Sequence, residues 1–167
     1  SQLRYWNWVE ERRKRVDEVT DGRVGYIHVP NTSTQGYTEF VRGLYAQHRK
    51  DGLIFDVRYN SGGFIPEMFI EHLLRPHYNT WVPRDGQDWR TPQISHHGPK
   101  AAIINGYAGS GGDAFPYYFR QFELGPLIGT TTWGGLVGIN NSLSMRIGGS
   151  INAPSFAMVN REGEWDV

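Results

Sequence analysis

A chain of 167 residues in which 17 Lys and Arg balance 17 Asp and Glu has the length of one compact domain and no electrostatic footprint for nucleic acid or an anionic membrane surface. Cysteine is absent, which excludes disulfide frameworks, thiolate metal sites and cysteine nucleophiles together, so a covalent catalyst has to be Ser, Thr, Lys or a carboxylate. No apolar run reaches spanning length and Ser1-Gln2-Leu3-Arg4 lacks a signal-peptide core, so a soluble piece is expected.

From Leu3 to Val19 the apolar residues Leu3, Trp6, Val9, Val16 and Val19 recur at near-helical spacing, and the mixed charges from Glu10 to Arg15 mark a solvated face of a surface helix. Asp21-Gly22 ends it. Arg23 to Val29 reads as a strand stopped by Pro30, with His28 on the face of Val24 and Tyr26. Asn31 to Thr34 offers N-cap residues for a helix through Tyr37, Phe40, Val41, Leu44 and Tyr45. Leu53 to Arg58 follows as a nearly continuous apolar strand of the parallel-sheet kind. The glycine-rich turn Tyr59-Asn60-Ser61-Gly62-Gly63-Phe64 leads into a helix from Ile65 to Leu74, with Pro66 in its first turn.

His77 to Lys100 is a polar, proline-punctuated excursion with room for one hairpin. Its His96-His97 pair diverges on an extended chain and has no acidic or Cys partner at ligand spacing, so neither metal nor cofactor is expected. Ala101 to Asn105 is a third buried strand, and Asp113 to Phe122 an aromatic helix. Between them lies Gly106-Tyr107-Ala108-Gly109-Ser110-Gly111-Gly112, a lone serine flanked by glycines where a strand turns into a helix. Such a turn can display a nucleophile, and Ser, Gly and Asp are also the ordinary residues of a helix N-terminus. Pro126 to Trp133 is the next strand, Gly134 to Gly138 a flexible loop, and the β segments 142–147, 151–159 and from 164 onward close the chain, extending the sheet.

Strands alternating with helices across short connections imply βαβ units, hence an α/β fold with a mainly parallel β-sheet flanked by helices and terminal β-hairpin additions. The two glycine turns would sit together at carboxyl ends of strands, where backbone N–H groups can approach a carbonyl oxygen. Neither turn fits a P-loop or G-x-G-x-x-G. The histidines, at 28, 48, 72, 77, 96 and 97, all precede Ser110, and no lysine follows Lys100. A base for Ser110 therefore comes from upstream or from outside the chain. A pair made of His28 and Asp56 is the internal alternative, against buried structural roles for both.

Asp56-Val57-Arg58-Tyr59-Asn60-Ser61-Gly62-Gly63-Phe64, then Asn105 to Asp113, then Thr132-Trp133-Gly134-Gly135 resemble in order the serine-protease core of the tricorn family, a relative of the C-terminal processing proteases. The resemblance begins in Tyr5-Trp6-x-Trp8-Val9-Glu10 and Gly25 to Pro30, and so covers nearly the whole chain. It implies a Clp-protease/crotonase-like fold, a peptide substrate, Ser110 as nucleophile, and the N–H of Gly111 with one from Gly62 or Gly63 as oxyanion donors. It also implies a histidine base held by a second serine on an upstream domain, which nothing in this chain matches. The chain would then be one domain of a longer multidomain protein, poorly active alone. The family glutamate lies just beyond a terminal strand like Gly163 to Val167, and Glu164 is a weak stand-in for it. A homo-oligomeric cytoplasmic assembly is implied as well.

One departure bears on specificity: tricorn proteases typically carry an aspartate after the nucleophile, associated with basic P1 side chains, where this chain has Gly111. Two other functions stay open on the sequence. One is a non-catalytic peptide-binding or assembly module of the same fold, motivated by Gly111 and the missing base. The other is a crotonase-like acyl-CoA enzyme using the same two-amide oxyanion hole.

Overall fold

The structure, a computed structural model, describes residues 2–139 and 142–165. Four strands, β1 (Val24–His28), β2 (Gly52–Asp56), β5 (Lys100–Ile104) and β6 (Leu127–Gly129), form one sheet in the order β1-β2-β5-β6. Every pairing in it is parallel, with His28 opposite Asp56 and Asp56 opposite Ile103. A parallel neighbour requires the chain to cross over between strands, and each crossover carries a helix: α2 (Thr34–Gln47), α3 (Pro66–Leu73) and α4 (Gly111–Gln121). Between α3 and β5 the excursion forms the antiparallel hairpin of β3 (Asn79–Trp81) and β4 (Trp89–Thr91).

Side-chain alternation along β2 decides which layer each residue serves. Phe55 points to the layer of α2, α3 and α4, where it meets Phe40, Phe115 and Phe119 at ring-centroid distances of 5.8, 6.4 and 6.1 Å. Phe69 of α3 closes the cluster against Phe40 at 4.9 Å and Phe115 at 6.1 Å. These phenylalanines are fully buried and together form the centre of the core. Asp56, one position on, shares the opposite layer with Tyr26 and His28, beneath the long helix α1 (Gln2–Val19).

That helix uses a different stripe from the one its spacing suggests. Tyr5, Trp8, Val9, Glu10, Arg12 and Val16 are the half-buried positions, and Leu3, Trp6 and Val19 are exposed. The reason is the polar layer below. Tyr5 reaches His28 through its hydroxyl, and the Trp8 ring takes the Arg58 guanidinium at 5.0 Å, contacts that Leu3 and Trp6 cannot make.

The terminal β segments do not extend the sheet. β7 (Ser142–Ser144) and β8 (Ser150–Asn152) pair only with each other, and isolated bridges join Gly138 to Phe156 and Val159 to Trp165. After β6 the chain is drawn back toward β5 and α4 by the hydrogen bond from Trp133 N to Ala108 O, so it leaves the sheet edge before the hairpin begins. No described helix is long and apolar enough to cross a membrane.

Candidate active site

Because the four strands are parallel, their carboxyl ends share one edge of the sheet, and the loops after β1, β2 and β5 meet there. Asn60 ties the three together. It is fully buried. Its Nδ2 donates to Val29 O at 2.8 Å, its Oδ1 accepts from Gly62 N at 2.8 Å, and its carbonyl accepts from Gly109 N at 3.1 Å. Thr32 adds a second brace, with its N–H donated to Gly62 O and its carbonyl accepting from Ile65 N.

Ser110 occupies the N-cap of α4 with φ 57° and ψ −119°. A positive φ costs a residue with a Cβ on the order of 1–3 kcal/mol, and such strain persists only where surrounding contacts hold it. The conformation turns the hydroxyl away from the helix it would otherwise cap: Ser110 makes no side-chain capping bond and is exposed. The glycines around it are required by close approach. A methyl group on Gly62 would stand 2.7 Å from Ser110 Cβ and 3.1 Å from its Oγ, and one on Gly111 would collide with the Thr32 hydroxyl and the Gly63 carbonyl.

The amides at the turn divide into two groups. Gly62 N–H is committed to Asn60 Oδ1, whereas the N–H groups of Gly63 and Gly111 have no hydrogen-bond acceptor among the described residues. A methyl on Gly111 would lie 2.9 Å from Gly63 N, so the backbones carrying both donors are adjacent. Gly111 also opens the first turn of an 11-residue helix, where the unsatisfied N–H groups and the helix dipole favour negative charge. Two N–H donors without acceptors thus lie side by side at the turn that carries Ser110.

No base reaches that hydroxyl among the described residues, because every histidine is engaged elsewhere. His28 Nδ1 lies 2.8 Å from the main-chain oxygen of Asp56, an acceptor only, so Nδ1 carries the proton and Nε2 accepts from Tyr5 Oη at 2.5 Å. Burial pushes this imidazole below its ordinary range, against the pull of the Asp56 charge, and burial with that same charge pushes the Tyr5 phenol up to about 12. The Asp56 carboxylate serves Arg58 instead, accepting from Nε at 2.9 Å and Nη2 at 2.6 Å, with Tyr26 Oη donating at 2.6 Å. His28 and Asp56 are thus joined through the main chain, not as a carboxylate–imidazole pair. His48 bonds Tyr45 O, His72 meets Tyr37 Oη, His77 meets Thr80, and His96 bonds His48 O. The His97 ring packs against His77. Glu164 is exposed in the terminal turn, its N–H bonded to Asn160.

Two further groups at this edge escape a reading by residue type. Asp113, in the first turn of α4 and 5% exposed, accepts from Gly134 N at 2.7 Å and Gly135 N at 3.0 Å, which clamps the loop after β6. Thr32 presents a buried Oγ1 with no hydrogen-bond partner against Gly111. An Asp in the first turn of a helix is a visible signal, but its partners lie 21 and 22 residues away, beyond any local pattern.

The model of peptidase family S41 matches residues 23–167. Tricorn protease of Thermoplasma volcanium is 43% identical over 155 residues, 93% of this chain and 15% of that protein. Tricorn protease of Thermoplasma acidophilum is 41% identical over 99% of this chain and 15% of its own length. A crystal structure of the tricorn protease superposes with a TM-score of 0.88 at 41% identity, covering 97% of this chain and 16% of that one. This chain therefore spans roughly one seventh of the length of these relatives. With the family model covering most of its residues and the tricorn fold superposing on nearly all of them, the chain belongs to peptidase family S41 and carries its tricorn-type serine-peptidase core.

Proposed function

We propose that this chain is the nucleophile-bearing domain of a larger peptidase that cleaves peptides through an acyl-enzyme on Ser110. Ser110 Oγ attacks the peptide carbonyl carbon and gives its proton to a base, and the carbonyl oxygen becomes an oxyanion held by the N–H groups of Gly63 and Gly111. Collapse of that intermediate breaks the C–N bond, with the proton returned to the departing amine. Water then cleaves the ester by the same two steps and regenerates the hydroxyl. The observation that carries this reading is the exposed, strained Ser110 beside two adjacent amides without acceptors. A turn needed only for chain reversal has no use for either feature.

The base comes from a domain outside this chain, since all six histidines within it have other neighbours. Peptide substrate, partner domain and homo-oligomeric assembly belong to the whole protein. In the full-length protein, Ser110→Ala is expected to lower peptide hydrolysis by on the order of 10^4- to 10^6-fold and to abolish labelling by a fluorophosphonate probe. Unchanged hydrolysis in that variant overturns the mechanism. Folded full-length protein with neither labelling nor hydrolysis points to a peptide-binding module that has lost the reaction.

A further inference from the structure

Large aromatic side chains exposed on a protein surface ordinarily sit on mobile tips or are covered by a neighbour. Trp133 combines exposure with a fixed backbone: the residue is 73% exposed in this chain, and its main chain is pinned on both sides. On one side Trp133 N donates to Ala108 O at 2.9 Å. On the other the next two amides, of Gly134 and Gly135, both go to the buried carboxylate of Asp113 at 2.7 and 3.0 Å. The ring itself lies against glycine backbone. A methyl on Gly109 would come within 2.9 Å of Trp133 Cε3, and one on Gly135 would run into the six-membered ring. Gly109 immediately precedes Ser110, so the ring borders the nucleophile. Phe64, immediately after Gly63, is 77% exposed.

A rigidly held, water-facing indole costs little conformational entropy when it meets a ligand, and stacking on a ring adds to simple area burial. We propose that the open face of Trp133 is a substrate subsite that stacks on an aromatic or branched aliphatic side chain next to the scissile bond, with Asp113 as the positioning residue that holds the plate in place. The subsite rests on Ser110 being the reacting centre. It makes the residues around the nucleophile select apolar side chains, in a chain whose Gly111 offers no charge to select a basic one.

The test uses the full-length protein and matched fluorogenic peptides that differ only in one residue flanking the cleaved bond, Phe, Leu, Gly or Lys. The readout is the ratio of kcat/KM for Phe over Gly. Trp133→Ala is expected to lower that ratio roughly three- to tenfold, Trp133→Phe to retain most of it, and Asp113→Asn to lower it toward the alanine value. A merely structural loss would depress both peptides together and leave the ratio alone. The same peptides are titrated by fluorescence anisotropy against Ser110→Ala protein with and without the Trp133 changes, which reads the subsite without any reaction. A Phe over Gly binding ratio that falls with Trp133→Ala, when the full-length protein with Ser110 intact hydrolyses none of the peptides, retains the subsite and overturns the catalytic reading. An unchanged ratio in an active enzyme overturns the subsite alone. Should Trp133→Ala fail to fold, Trp133→Gln compared with Trp133→Phe asks the same question.

Discussion

At the residue scale, the site is organised by Asn60 more than by the residues that react. Its side chain donates to the end of β1 and accepts from Gly62, and its carbonyl takes the amide of Gly109, one residue before Ser110. One buried amide thereby fixes the separation of both glycine turns, and it also consumes the Gly62 N–H, so that of the two glycines of that turn Gly63 is the one whose amide has no acceptor among the described residues. Asn60→Ala strands the carbonyl of Val29 and the amide of Gly62 in a dry interior. It is expected to destabilise the protein by about 1–3 kcal/mol for each stranded group, measured by urea unfolding, and to slow fluorophosphonate labelling of Ser110 as the donor turn loosens. The presence of Ser110 and its glycines was legible as a displayed serine. The choice between Gly62 and Gly63 was not, because it depends on which way one peptide plane faces.

At the element scale, the position of each strand follows from short-range patterns that the tertiary structure largely keeps. β2 reads as a buried parallel strand because its apolar residues run almost without break, and four of its five residues are buried. Phe55 is the residue on which α2 and α4 converge, with Phe69 of α3 closing the layer behind Phe40. Phe55→Ala is therefore expected to cost about 3–5 kcal/mol by thermal or urea unfolding, more than the same change at the half-exposed Trp89 would. The stripe of α1 is where pattern and structure part. Periodicity favoured Leu3, Trp6, Val9, Val16 and Val19; Val9 and Val16 are half-buried, but the helix turns Tyr5, Trp8 and Arg12 inward with them in place of Leu3, Trp6 and Val19 because the layer beneath it is polar, built on His28, Asp56 and Arg58. Hydrophobic periodicity assumes an apolar partner, and this helix has a hydrogen-bonding one.

At the scale of the whole molecule, the buried histidines link folding to pH. His28, His72 and His96 are all held below the ordinary imidazole range, in each case chiefly by burial. The folded state therefore binds fewer protons than the unfolded chain, whose histidines titrate near 6.5. The stability they contribute is fully present above that pH and is lost as the pH falls below about 6.5 toward the depressed folded values. Urea midpoints measured from pH 8 down to pH 5 should fall, and His28→Gln should flatten the decline. The same scale separates the contributions of chain and fold. By itself the sequence determined the alternation of strands and helices, the parallel sheet, the serine turn and the absence of histidine and lysine between Gly111 and Val167, since each is a matter of order along the chain or of local backbone chemistry. Only the tertiary structure decided which amides are left without acceptors, that Asp113 reaches across to clamp the loop carrying Trp133, and that His28 meets the main chain of Asp56 in place of its carboxylate. The last two are contacts between segments 20 or more residues apart and the first is set by the direction in which individual peptide groups point, and neither quantity is written in residue types.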